Sequence, residues 1–422
     1  MIVPSVDLRG GHAVQLVGGK EQALDAGDPR PLAERFGRVG PIAVIDLDAA
    51  LGTGDNAAVI RDLLGRAPCR VGGGIRDREA AVRWLDAGAE QVILGTAARP
   101  ELLRTLPRGR VVAALDAVDG EVVVDGWRTR TGASVADRMA ELRPFVSGFL
   151  VTFVEREGRL GGTALDRVPA LVAAAGDARL TIAGGVTTAD EIAALDRLGC
   201  DAQVGMALYT GRMSLAEGFA AALRTDRADG LWPTVVVDEL GTALGLCWSN
   251  RESLERSLET GRGVYWSRSR GGLWEKGATS GATQLLRSVR ADCDRDALRF
   301  VVRQAGPGFC HLETRTCWGD DDGLARLARR LAAPEPGGYT RRLLDDPALL
   351  ASKLREEAGE LAAARTPDEV RHEAADVLYF ALVACARAGV DLVDVSRELD
   401  RRARVVTRRP GDAKEVPRAA ED

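Results

Sequence analysis

From the first residue to about residue 226, short apolar runs alternate with amphipathic stretches. The runs are residues 2–7, AVIDL (43–47), RVGGG (70–74), QVILG (91–95), VVAALD (111–116), GFLVTF (148–153), LTIAGG (180–185) and AQVG (202–205). Apolar β-rich runs separated by helical patterns predict a parallel sheet with right-handed crossovers. Eight of them is the number that closes a barrel. The segment TDRADG (225–230) reads as a linker, and beyond it the pattern becomes mixed strands and turns rich in tryptophan and glycine. From Asp321 the pattern is almost wholly helical: a short helix (324–332), a break at PEPGG (334–338), then long amphipathic stretches. The expected architecture is multidomain: an α/β TIM barrel (1–226), an α+β domain (230–320), an all-α domain (321–410) and a polar, disordered tail (411–422).

The barrel region repeats internally. VPSVD (3–7) and VAALD (112–116) both end a run on aspartate, with Gly11 and Gly120 following at the same offset. VGGGIRDREAAVRWLDAGAEQVILGTAA (71–98) resembles IAGGVTTADEIAALDRLGCDAQVGMALY (182–209) with one gap. Two similar half-barrels would set matching features at opposite sides of one mouth.

Composition narrows the classes. A formal net charge of -5 excludes a broadly basic surface that coats nucleic acid, but leaves room for local arginine clusters. The start has no basic-then-apolar leader and no run is long enough to span a membrane, so a cytoplasmic protein without membrane or nucleic-acid partners is expected. Seven cysteines, three of them clustered, point to a reducing compartment and a metal site rather than a disulfide framework. Cys69, Cys200, Cys247 and Cys385 read as isolated, small buried or semi-buried residues.

In the barrel, Asp7 and Asp116 fall at equivalent strand ends, where two facing carboxylates suit general acid and base work. The turns at Gly73, Gly74, Gly184 and Gly185, with Gly95-Thr96 and Gly205-Met206 after the next strands, expose amides that favour an anion. Two equivalent sets predict a substrate with a phosphate at each end. PSVDLRGG, VGGGIRD, ALDAVDGEVVVDGW and TIAGGVTT are similar to the isomerase of histidine biosynthesis, which converts phosphoribosylformimino-aminoimidazole-carboxamide ribotide from aminoaldose to aminoketose. The resemblance implies a rearrangement needing no metal or cofactor, with Asp7 as base, Asp116 as acid, Thr152 assisting and Trp127 binding substrate. Where that family usually reads Thr-Asp and Arg-Asp-Gly-Thr, this chain has Thr152-Phe153 and Arg156-Glu157-Gly158-Arg159. That departure leaves two alternatives open: a barrel that only binds phosphosugars, or one that also isomerises phosphoribosylanthranilate.

In the middle domain, Asp292, Asp294 and Asp296 alternate around Cys293 at a two-residue period. On an extended strand this puts the three carboxylates on one face, suited to magnesium. Cys293, Cys310 and Cys317, with His311 adjacent, suit zinc with a fourth position left for water. In SRSRGGLWEKGATSG (267–281), Arg268, Arg270, Lys276 and Ser280 are candidates to hold a phosphate, and Trp274 either stacks on a base or fills the core. These stretches, with WSNRESLERSLETG and GFCHLETRTCW, look like phosphoribosyl-AMP cyclohydrolase. The resemblance implies a zinc-dependent opening of the adenine ring, a homodimer with its metal sites at the subunit interface, and His311 as a proton-transfer or supporting group.

In the helical domain, Glu356, Glu357 and Glu360, and then Glu373 and Asp376, fall at spacings of three and four beside apolar stripes. Converging carboxylates would call for a cation between them. GGYTRRLL, KLREEAGEL and HEAADVLYF resemble phosphoribosyl-ATP pyrophosphohydrolase, an all-helical nucleotide pyrophosphohydrolase. That implies magnesium on these five acids and phosphate contacts from Lys353, Arg341 and Arg342. The three resemblances form consecutive steps of one pathway, arranged in reverse order of reaction. A trifunctional enzyme acting on small phosphoribosyl-nucleotides is therefore expected.

Overall fold

The computed structural model describes residues 1–19, 21–124, 127, 129–408 and 411. The tail expected to be disordered, apart from Gly411, lies outside them, as do Asp125 and Gly126 of the VVVDGW run. The chain divides into two compact units, Met1–Gly37, Pro41–Met213 and Ala403–Asp422 in one, Arg38–Gly40 and Ser214–Arg402 in the other.

The first unit is a closed parallel barrel. Its strands are β1 (Ile2–Arg9), β2 (Ile42–Asp46), β3 (Cys69–Gly72), β4 (Gln91–Leu94), β5 (Val111–Val118), β6 (Gly148–Phe153), β7 (Arg179–Ala183) and β8 (Asp201–Val204). They pair in parallel around the ring, and β5 closes it on β6 with Asp116 opposite Thr152. Val3, Ala43, Ile93, Val112, Leu150 and Ala183 form one interior cluster, drawn from six of the eight strands. Alternate residues of each strand face inward, which is why these positions are apolar.

Two strands run on past the aspartates at which the sequence pattern stops. β1 continues to Arg9 and folds back antiparallel as His12–Val17, then Glu21–Gly27. β5 continues to Val118 and folds back as Glu121–Val124, then Thr129–Ser134. Each first turn has two residues, Gly10-Gly11 at φ 57 and 84, and Asp119-Gly120 at φ 54 and 84. Positive φ at both positions marks the turn that matches strand twist, and this is the physical meaning of the repeated glycine. Asp7 and Asp116 thus sit inside strands, each where a barrel strand becomes a hairpin arm.

The second unit holds a four-stranded sheet, a hairpin and a group of helices. In order, β9 (Trp232–Asp238), β10 (Ala243–Ser249), β13 (Gln284–Ala291) and β14 (Leu298–Gln304) form the sheet, arranged β10-β9-β14-β13. The hairpin is β11 (Val264–Ser267) with β12 (Gly272–Glu275). Helices Gly323–Ala332, Tyr339–Asp345, Pro347–Ala363, Pro367–Arg387 and Leu392–Arg404 follow. The longest starts at a capping box of Thr366 and Glu369 with Pro367 in its first turn, so its orphan amides are satisfied where the sequence asks for a start. Leu331, Leu343, Leu350, Phe380, Leu382 and Val383 make the helical core. Burial of each such side chain contributes roughly 1.5–3 kcal/mol.

Candidate functional sites

The barrel mouth encloses a cavity of about 480 Å³, and every barrel residue proposed from the sequence for catalysis or substrate binding lines it. Asp7, Asp116, Thr152 and Trp127 line it together with the turns of both halves, Gly73, Gly74, Gly95 and Thr96 from one and Gly184, Gly185, Gly205 and Met206 from the other. The glycines have a packing reason as well as an anion-binding one. A Cβ on Gly73 would stand 2.2 Å from the Asp46 carbonyl oxygen, and one on Gly184 would stand 2.4 Å from that of Phe153. Asp46 and Phe153 are therefore equivalent positions in the two halves.

That equivalence explains the departure at Phe153. Asp46 caps the helix Leu47–Leu51 and accepts from the Asn56 backbone at 2.8 Å and side chain at 2.7 Å. Phe153 opens a 3₁₀ turn with no side-chain cap, is buried, and does not line the mouth. The missing carboxylate is a change of loop anchoring, outside the cavity.

Glu157 does line the cavity, a position that the residue types alone did not assign to the site. Gly158 brings its loop so close to the first arm that a Cβ there would lie 2.3 Å from the Leu16 carbonyl oxygen, and Gly18 N–H donates to the Glu157 carbonyl at 3.2 Å. The side chain is delivered, half-buried, into the cavity. Burial, then the charges of Asp7 and Asp116, push Glu157 up to about 8. Burial lifts Asp7 to about 6 despite the Ser5 hydroxyl donating at 2.8 Å. Burial also raises Asp116, opposed by hydrogen bonds from Trp127 and Thr152. Three carboxylates with raised pKa values in one cleft are the pattern of acid–base chemistry near neutral pH. Ser5, at the strand period from Asp7, was a signal available in the sequence.

In the second unit, Asp292, Asp294 and Asp296 bring ligand oxygens within 4.8 Å of one another. They do so on a hairpin tip, correcting the expectation of an extended strand. β13 ends at Ala291, Asp292 N–H donates to Ala297 at 3.1 Å, and Arg295 adopts φ 70, so the chain must turn. Partial burial of Asp292 is outweighed by backbone N–H donors from Ala297, Arg295 and Asp296, which lower its pKa. Asp294 raises that of Asp296.

Cys310 and Cys317 lie together, their side chains in hydrogen-bond contact, with His311 Nδ1 3.8 Å from the Cys310 sulfur. Cys293 is exposed on the hairpin tip, and among the described residues no close group of three metal donors contains the Cys310–Cys317 pair. Cys247, expected to be isolated, is a buried neighbour of Cys317, and burial pushes its thiol up to about 12.

The phosphate candidates separate. Arg268 and Arg270 lie exposed on the turn between β11 and β12, and Ser280 lies on the following turn, accepting from Ala282 N–H at 3.4 Å. Lys276 is 6% exposed, with its ammonium 5.4 Å from the Phe309 ring centre and 6.0 Å from that of Trp274. It is packed against the thiols instead of standing on the loop. Trp274 packs toward Tyr265, ring centres 6.0 Å apart.

Among the helices, Glu357, Glu360 and Glu373 converge within 4.8 Å. Oxygen-only donors at this spacing fit a hard divalent cation. Burial, followed by Glu373, Glu357 and Glu356, raises Glu360. Lys353 reaches Glu356 and Glu357, both at 2.8 Å, so its charge is committed to the acidic cluster. Asp376 stands outside the group of three and faces His372 at 3.6 Å. Arg341 is paired with Asp345 at 3.0 Å.

Three family models match the chain in succession. Histidine biosynthesis protein covers residues 1–214, half of the chain, phosphoribosyl-AMP cyclohydrolase 245–319, and phosphoribosyl-ATP pyrophosphohydrolase 324–403. The chain belongs to the histidine biosynthesis protein family. It is 53% identical over 208 residues to a histidine biosynthesis bifunctional protein of Schizosaccharomyces pombe, 48% of this chain and 49% of that one. A histidine biosynthesis trifunctional protein of Komagataella pastoris is 50% identical over 208 residues, 48% of this chain and 24% of its own length. A histidine biosynthesis bifunctional protein of Gloeobacter violaceus is 46% identical over 200 residues, 43% of this chain and 91% of its own. The chain thus spans half or less of the first two relatives. Among the described residues no helix is long and apolar enough to cross a membrane.

Proposed function

We propose that this member of the histidine biosynthesis family is a trifunctional enzyme. It hydrolyses phosphoribosyl-ATP to phosphoribosyl-AMP and pyrophosphate, opens the adenine ring of the product, and isomerises the resulting aminoaldose ribotide to the aminoketose. The observation that carries the barrel's part is the placement of Asp7, Asp116 and Glu157 between two equivalent glycine-turn sets in one cavity. A substrate with a phosphate at each end fits such turns, because backbone amides at both sides favour an anion. Its reacting carbons then lie between carboxylates able to take and return a proton.

For the ring opening, thiols Cys310 and Cys317 suit zinc, and Asp292, Asp294 and Asp296 suit magnesium. Cys293 completes a three-thiol set if a second copy supplies it, which is the reason to expect a homodimer. When bound, zinc supplies the Lewis acidity that makes water a nucleophile near neutral pH. His311 would serve as a proton-transfer or supporting group beside it. For pyrophosphate release, Glu357, Glu360 and Glu373 would hold magnesium, with Glu356 and Asp376 flanking. Its charge offsets the acids' mutual repulsion. The free thiols fit the reducing cytoplasm.

The test feeds the purified full chain phosphoribosyl-ATP with magnesium and zinc and follows each product. Accumulation of the ring-opened aminoaldose, with no ketose formed, would sink the isomerase assignment. Failure to release pyrophosphate would sink the first step.

A further inference from the structure

Trp248 lies near the end of β10, half-buried, and two guanidinium groups lie over its ring. That of Arg227 is 4.3 Å from the ring centre, and that of Arg268 is 4.4 Å away. Their other interactions differ. Arg227 is held edge-on by Asp229 through two hydrogen bonds of 2.9 and 2.7 Å, which use the fork that would otherwise meet a ligand. Arg268 sits on the turn between β11 and β12, and among the described residues no carboxylate pairs with it. The turn itself is ordered by Gly271 N–H donating to the Ser267 carbonyl at 2.9 Å.

A guanidinium stacked on an indole loses water from one face but keeps its in-plane N–H donors available. Holding a long side chain in this way removes much of the rotamer entropy that binding would otherwise cost. A planar fork with free donors is the group that grips phosphate through paired hydrogen bonds. The sequence singles out Arg268 as a phosphate candidate but gives Trp248 no role.

We infer that Trp248 is a positioning residue, which holds Arg268 for the phosphate of an adenine ribotide, while Arg227, locked by Asp229, covers the same ring. This deepens, and rests on, the reading of the middle domain as a phosphoribosyl-AMP cyclohydrolase. The anchoring is asymmetric: one arginine braces the indole and the other is presented to the ligand.

Calorimetric binding of AMP to the zinc-loaded full chain tests this without depending on turnover. Trp248→Leu should weaken AMP about three- to tenfold, the range expected for losing one partly exposed cation–π contact. Trp248→Phe should keep most of the affinity, since a ring face remains. Arg268→Ala should weaken AMP at least as much, and Trp248→Leu should add little in the Arg268→Ala background. With phosphoribosyl-AMP as substrate, Trp248→Leu should raise KM by a similar factor with kcat within about twofold. Unchanged AMP affinity in Trp248→Leu, while Arg268→Ala weakens it, would overturn the positioning role. Loss of zinc or a matching fall in kcat in Trp248→Leu would overturn it too, by showing a merely structural residue. Wild-type AMP binding without ring opening would fail the activity reading and leave the positioning test standing.

Discussion

The negative charge of Asp7 adds to burial in holding Glu157 up to about 8, while Asp7 itself is lifted only to about 6. Two carboxylates in one cavity are thereby split into a stronger and a weaker acid. Between these values Asp7 is mostly ionised and Glu157 mostly protonated, so the mouth holds a base and an acid together. The aminoaldose isomerisation should follow a bell-shaped pH profile in kcat/KM, with limbs near pH 6 and pH 8 that belong to the coupled group. Glu157→Gln should abolish the upper limb and slow isomerisation about 10²-fold. An unchanged upper limb in that variant would remove Glu157 from the proton chemistry.

The same shifts bear on stability. Folding raises Glu157 from 4.5 to about 8 and Asp7 from 3.8 to about 6, so over pH 4 to 8 these two groups hold more protons in the folded barrel than in the unfolded chain. Their contribution to stability therefore falls as pH rises through that window. Glu157→Gln removes the larger share. Its melting temperature should exceed wild type by on the order of 5 °C at pH 8 and converge with it near pH 4.5. Thermal scans at the two pH values decide the matter.

Phe153→Asp should not repair the barrel. The ring is buried where Asp46 stands in the other half, and ten residues on, where that half has Asn56, this one has Thr163, whose amide is already taken by Glu191 at 2.7 Å. An aspartate there would bury a carboxylate without the amide and side-chain donors that Asn56 gives Asp46, costing about 3 kcal/mol. Urea unfolding should show the loss, and isomerase activity per folded molecule should stay near wild type because Phe153 does not line the cavity.

Chelation should divide the three reactions. EDTA is expected to stop pyrophosphate release and ring opening and to leave isomerisation of added aminoaldose intact. Glu360→Ala, placed among Glu357 and Glu373, should cut pyrophosphate release by about 10²-fold while sparing the other two steps. Product-resolved chromatography separates these outcomes.

The barrel was legible because its strands are short apolar runs at regular intervals, and because the half-barrel repeat pairs Gly73 with Gly184. All eight runs are strands. The arms at His12–Gly27 and Glu121–Ser134 were harder to see, since their outer strands, EQALDAG and TRTGAS, are exposed and carry little hydrophobic alternation. The acidic run at Asp292–Asp296 had the right residues but the wrong backbone, for period alone cannot report that Arg295 turns left-handed. Lys276 looked like a loop cation because neighbouring glycines imply exposure, whereas its ammonium lies among Phe309, Trp274 and thiols brought from distant sequence. Long-range packing of that kind leaves no local signature.

Each half of the barrel contributes one arm, one strand-borne aspartate and one pair of glycine turns. A ligand with phosphates at both ends would consequently be gripped once by each half, like a rivet through two plates. Occupancy should then resist prying the ring apart between Leu94 and Val111, and clipping that connection should produce two fragments whose reassembly is driven by the ligand itself.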